Sequence, residues 1–163
     1  MIFTLSIVLD QKDDIFKEIK CNAKMSLEEL HHFIVKSFDL QKNELAAFYL
    51  TNDEWEQGEE IPLIAMQKNT VEMNSITLEQ ALKNDKLLYV NDFLNMWRFM
   101  ITVENKENTK IEKPEIILSF GVMPKVAPNV QFISESSNED FKEEEDIFGS
   151  EFDEYNEFTN DEY

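Results

Sequence analysis

The stretch Ser26-Leu27-Glu28-Glu29-Leu30-His31-His32-Phe33-Ile34-Val35-Lys36-Ser37-Phe38 decides the fold. Ser26 followed three residues later by Glu29 is the spacing of a capping box, in which two side chains satisfy backbone donors left open at a helix start. Leu27, Leu30, Ile34 and Phe38 then recur every three or four residues, which puts them on one helical face. The pattern predicts a helix over 27–38, and an apolar face of that size requires a second layer to cover it.

The flanking segments supply that layer. Upstream, Ile2 to Leu9 reads as a strand with Thr4 and Ser6 at alternating positions, Asp10-Gln11-Lys12-Asp13-Asp14 as a turn, and Ile15 to Cys21 as a second strand, so the two form a hairpin. Downstream, Leu45 to Leu50 suits a third strand, and Thr51 to Glu60 is a polar, acidic connection expected to lie exposed. Thr77 with Gln80 repeats the capping-box spacing for a short helix through Leu82. Asn84-Asp85 turns the chain into Leu87-Leu88-Tyr89-Val90, and Trp97 to Glu104 is β-rich and expected to pair with it. Ile116 to Phe120 suits packing on the sheet, but Gly121, Pro124 and Pro128 break any long element after it, so 111–133 reads as an irregular arm. The expected fold class is α+β: a mixed or mostly antiparallel sheet packed against one main helix and a short second helix, spanning 1–133, followed by an acidic, aromatic, disordered tail over 134–163.

Charge narrows the function classes. The chain has 15 Lys plus Arg against 34 Asp plus Glu, a formal charge of −19. Glu135 to Tyr163 contributes −12 of this and residues 1–134 the other −7. Such a field repels phosphates and anionic lipid surfaces, which argues against direct nucleic-acid or membrane binding. Cys21 is the only cysteine, so no intramolecular disulfide forms and a reducing, cytoplasmic location is expected. The first residues lack a basic region before an apolar run and read as a strand rather than a signal peptide.

Catalytic patterns are not found. Gly58, Gly121 and Gly149 are too far apart to cradle a phosphate. His31 and His32 are adjacent on a helix, where neighbours point about 100° apart and do not share a metal, so one buried and one solvated histidine is the simpler account. Cys21 lacks any nucleophile signature and reads as a small packed thiol. Asn52 to Glu60 resembles a calcium loop only loosely, since Gly58 falls at the seventh position and Leu63 stands where a bidentate acid is required. Arg98, the only arginine, reads as the partner of a nearby acid, with anchoring of an anionic ligand as the sharper alternative. No metal and no cofactor are expected.

In the tail, Phe148, Phe152, Tyr155 and Phe158 fall at i, i+4, i+7 and i+10 among Asp and Glu. A segment that folds on binding and lays one aromatic face into a basic-rimmed groove of a partner needs this arrangement. A merely solubilising tail, or docking onto its own domain, are the other readings.

Leu27-Glu28-Glu29-Leu30-His31 and Leu88-Tyr89-Val90-Asn91-Asp92-Phe93 with Trp97, in this order of elements, resemble the plasmid Ri open-reading-frame-three-like family, which also occurs as an insertion-element passenger (TnpR-like). The likeness covers about residues 2–105. It implies an α+β fold and no established activity. The family's Tyr-Asp-Phe-Gly-Asp-x-Trp pattern becomes Asn91-Asp92-Phe93-Leu94-Asn95-Met96-Trp97, which keeps Asp92, Phe93 and Trp97 but loses the glycine and second acid. The family's histidine-containing segment before the third strand is replaced by Asn43-Glu44-Leu45-Ala46-Ala47. Three functions are weighed: a non-enzymatic interaction or adaptor protein whose tail binds a basic protein partner, a DNA mimic that occupies a nucleic-acid-binding protein, and a small-ligand binder or enzyme with a pocket around Asp92, Trp97 and Arg98.

Overall fold

The computed structural model describes residues 1–125; the tail, with Phe148, Phe152, Tyr155 and Phe158, lies outside the described residues, as does the end of the expected arm. Seven strands form one sheet: β1 (Ile2–Leu9), β2 (Phe16–Asn22), β3 (Ala46–Thr51), β4 (Gln57–Pro62), β5 (Lys86–Asn91), β6 (Trp97–Glu107) and β7 (Glu115–Phe120). Their spatial order is β4-β3-β5-β6-β1-β2-β7, and every pairing is antiparallel. Helix α1 (Leu27–Ser37) and the short α2 (Leu78–Ala81) cover one face. The architecture is therefore the α+β arrangement that the periodicities predict.

Both capping boxes form. Ser26 Oγ accepts from the Glu29 amide while Glu29 accepts from the Ser26 amide. Thr77 and Gln80 exchange the same two bonds. The two cap residues also pair with each other as an isolated antiparallel bridge, with Leu27 N donating to Ile76 O and Leu78 N to Met25 O. One helix start thus holds the other, and the backbone donors that helix ends leave open are shared between two distant segments.

Alternation along the strands sends Leu5, Ile7, Leu9, Ile19, Phe48, Tyr89, Phe99 and Ile101 to the helix side, where they meet Leu27, Leu30, Ile34 and Phe38 in one buried cluster. Phe38 packs on Phe99 with ring centroids 4.8 Å apart. Leu27, Leu30 and Ile34 have no exposed surface.

Two stretches depart from the sequence expectation. The acidic connection after β3 folds back as β4, an edge strand in which Gln57, Gly58, Glu59 and Glu60 are exposed and only Ile61 is buried; a strand bathed in solvent on both faces carries no apolar alternation to read. The arm expected to be irregular contains β7, paired to β2 across a register shift between Glu18 and Ile19. With three glycines in the chain and only Gly121 of them at positive φ among the described residues, the other left-handed positions fall to Asp39, Asn43, Asn69, Asp85 and Asp92, residue types that tolerate positive φ, and also to Trp55 and Met96.

Candidate functional site

The expected pocket residues lie where β5 turns into β6. Asp92 adopts a φ of 61° and its carboxylate is consumed within its own turn: Oδ1 accepts from the amides of Leu94 and Asn95, and Oδ2 from Asn95 Nδ2 at 2.6 Å. Its carbonyl accepts from the Met96 amide, closing the turn. This aspartate is a turn former, buried and fully occupied. Trp97 stands opposite Asn91 and packs on the core; Arg98, one residue on, stands opposite Val90 and points to the other face of the sheet. Arg98 Nη1 lies 3.7 Å from Asp10 Oδ2, the ion pair with a neighbouring acid that its sequence context suggests. The structure places the three close in the chain, but Trp97 and Arg98 face opposite sides.

A buried polar chain runs nearby. Asn91 Nδ2 donates to the Tyr89 hydroxyl at 2.9 Å, and that hydroxyl lies 2.7 Å from His31 Nδ1. With the phenolic oxygen already accepting, its proton goes to Nδ1, which leaves the imidazole proton on Nε2. Burial lowers the His31 pKa to about 4, with His32 adding a smaller effect in the same direction. The Tyr89 phenol is pushed above its ordinary range by burial, against the Asn91 bond that lowers it. Both groups are neutral at pH 7, and neither faces solvent, so they orient one another rather than exchange protons with a ligand. Cys21 is buried, with its thiol pushed up to about 12, and is inert as a nucleophile. His32 stays exposed, 3.8 Å from Glu28.

Of the surface hollows, one of about 450 Å³ between the end of β3 and α2 has Lys83 as its only charged lining group, and so lacks the paired titratable groups that acid and base chemistry uses. Among the described residues no group of three His, Cys, Asp or Glu is arranged to hold a metal. No helix among them is long and apolar enough to cross a membrane.

The surface that stands out is apolar. The antiparallel order puts the start of β3 and the ends of β4 and β5 at one rim of the sheet, and there Leu45, Ile64, Met66 and Phe93 surround a cavity of about 240 Å³ that Glu60 borders. Met66 is 83% and Leu94, next to Phe93 in the chain, 91% exposed, so apolar surface is gathered at this rim. Of the five acids of Thr51 to Glu60, Glu60 borders this cavity, whereas Asp53, Glu54 and Glu56 belong to the turn at the opposite end of β3 and β4, where Lys86 reaches across to Asp53 and lies over the Trp55 ring. Sequence reading did not single out Leu45, Ile64, Met66 or Leu94, because exposure of isolated apolar residues in loops leaves no periodic signal. Phe93 was within its reach, as one of the motif residues kept between β5 and Trp97.

A family model described as plasmid pRiA4b ORF-3-like protein matches residues 1–157. No curated protein matches. The crystal structure of a protein of unknown function, MM3350 from Methanosarcina mazei Go1, is similar with a TM-score of 0.59 and 21% identity, over 72% of this chain and 68% of that one. At that identity the likeness establishes the fold.

Proposed function

The chain belongs to the plasmid pRiA4b ORF-3-like family, and from that premise we propose that it is a non-enzymatic protein-interaction module for a basic partner. The observation that supports this reading is the exposed apolar crescent of Leu45, Ile64, Met66 and Phe93 around a cavity bordered by Glu60, with exposed Leu94 following Phe93 in the chain. An apolar segment flanked by Lys or Arg fits it: the side chains fill the cavity while a cation faces Glu60. In the tail, Phe148, Phe152, Tyr155 and Phe158 form a second contact, entering a basic-rimmed groove on the same partner.

Photo-crosslinking in host lysate tests the reading, with a benzophenone side chain placed at Leu94 and, separately, at Phe152. The expected result is one dominant basic protein captured from both positions, and lost when Phe93 is replaced by Ala or when Phe148, Phe152 and Phe158 are all replaced by Ala. Capture of many nucleic-acid-binding proteins, abolished by moderate salt and indifferent to the alanines, would support phosphate mimicry by the acids instead. No specific adduct from either position would overturn the proposal.

A further inference from the structure

The seven methionines of the chain are placed unequally, and the contrast is sharpest inside one connection. Between β4 and α2, Met73 has no exposed surface and belongs to the core, whereas Met66 is 83% exposed. Met1 is the other exposed methionine, and Met25, Met96, Met100 and Met123 are all partly covered. Met66 is nevertheless held in place. The Ala65 amide donates to Glu72 Oε1 at 3.3 Å, and Asn69 turns the chain at a φ of 66°. The loop closed in this way brings Met66, Gln67 and Thr70 to the border of the cavity that the crescent surrounds. Gln67 and Thr70 carry N–H and O–H donors, for which a thioether sulfur is a weak acceptor.

We propose that Met66 is a site of reversible oxidation, and that its sulfoxide shuts the crescent to the apolar anchor of a partner. This regulation presupposes the interaction role proposed above. The oxidant is a hydroperoxide. A sulfur lone pair attacks the terminal peroxide oxygen, so that an S–O bond forms as the O–O bond breaks. The departing oxygen takes the peroxide proton and leaves as alcohol or water, and sulfur loses the two electrons that the peroxide gains. Reaction at a thioether requires access rather than ionisation, so Met66 reacts before the partly covered methionines and Met73 last. The product carries an acceptor oxygen in place of a bare sulfur, and Gln67 and Thr70 on the same border supply donors to it. An apolar anchor must then displace that oxygen or bury it unpaired, and either costs affinity. A sulfoxide reductase reverses the step, two thiols becoming one disulfide while the oxygen leaves as water. Met66 lies outside the buried cluster, so the fold is the same in both states.

Timed exposure of the full chain to hydrogen peroxide, stopped with catalase, tests it by peptide mass spectrometry and by capture in lysate through the benzophenone at Leu94. Met66 should gain one oxygen roughly tenfold or more faster than Met73, and ahead of Met25, Met96, Met100 and Met123. Once Met66 is converted, capture should fall about tenfold or more, and return after treatment with methionine sulfoxide reductase and dithiothreitol. Met66→Leu should keep through the peroxide treatment whatever capture it shows beforehand. Met66→Gln, which puts a polar amide at this position, should capture as weakly as the oxidised wild type without any peroxide. Oxidation of Met66 no faster than that of the partly covered methionines would overturn the proposal, as would capture unchanged after full conversion or lost equally from Met66→Leu. Absence of capture by the untreated wild type is a separate outcome, which would overturn the interaction reading and this regulation with it.

Discussion

The phenolic oxygen of Tyr89 lies 2.7 Å from Nδ1 of His31, and both side chains are shut off from solvent. The bond requires a neutral imidazole, and burial, with a smaller contribution from His32, holds the His31 pKa at about 4 against an ordinary 6.5. The unfolded chain therefore takes up a proton at this residue between pH 6.5 and 4 that the native state refuses, so the stability involved is complete above pH 6.5 and is lost as the pH falls toward 4. Allowing for partial solvent screening, the loss is on the order of 2 kcal/mol. Urea unfolding at pH 7 and 4.5 should show this component in the wild type and not in His31→Gln; equal losses in both would refute it.

Leu30 has no exposed surface and sits on α1 against the sheet. Leu30→Asp places a carboxylate there without a partner and should cost about 4 kcal/mol or more, read as a fall in the urea midpoint. A wild-type midpoint would contradict the packing of α1.

Asp92 combines a left-handed backbone with a carboxylate that accepts three bonds from Leu94 and Asn95. Asparagine tolerates the same φ and retains the Oδ1 acceptor, whereas alanine does neither. Asp92→Ala should therefore be about 1–2 kcal/mol less stable than Asp92→Asn. Equal Tm values for the two variants would show that the turn depends neither on the side-chain oxygen acceptor nor on a residue that tolerates positive φ.

The thiol of Cys21 is buried with its pKa pushed up to about 12, so almost no thiolate exists at pH 8 in the native state. Labelling by a disulfide reagent should be slower than that of a free cysteine by roughly a thousandfold, and should accelerate with urea in step with unfolding. Rapid native labelling would mean that β2 opens locally.

Elements with a repeating pattern were legible in the sequence. Ser26 with Glu29 and Thr77 with Gln80 named both helix starts, because a capping box is written in two residues at fixed spacing. Strands β1, β2, β3, β5 and β6 were legible within a few residues from their apolar runs. β4 was not, since Gly58, Glu59 and Glu60 describe a solvated edge whose only buried residue is Ile61. For the candidate site, the charge and apolar neighbours of Arg98 were visible but not its side: the alternation that sends it away from Trp97 matters only once the register with Val90 and Asn91 is fixed. The crescent depends on which loops share a rim, and that is set by the strand order, which local pattern does not carry.

The strand order also sets a timetable during synthesis. β1 leaves the ribosome first, yet its place is between β2 and β6, and β6 begins about 90 residues later, roughly 5–20 s at ordinary translation rates. Over that interval the nascent hairpin of β1 and β2 has both sides open, since β7, the neighbour of β2, follows β6, and its apolar face is uncovered; helix α1 is the earliest element able to shelter it. Codon choice and chaperone occupancy between residues 40 and 97 consequently bear on the yield of folded chain more than they would in a protein whose first strand lay at an edge.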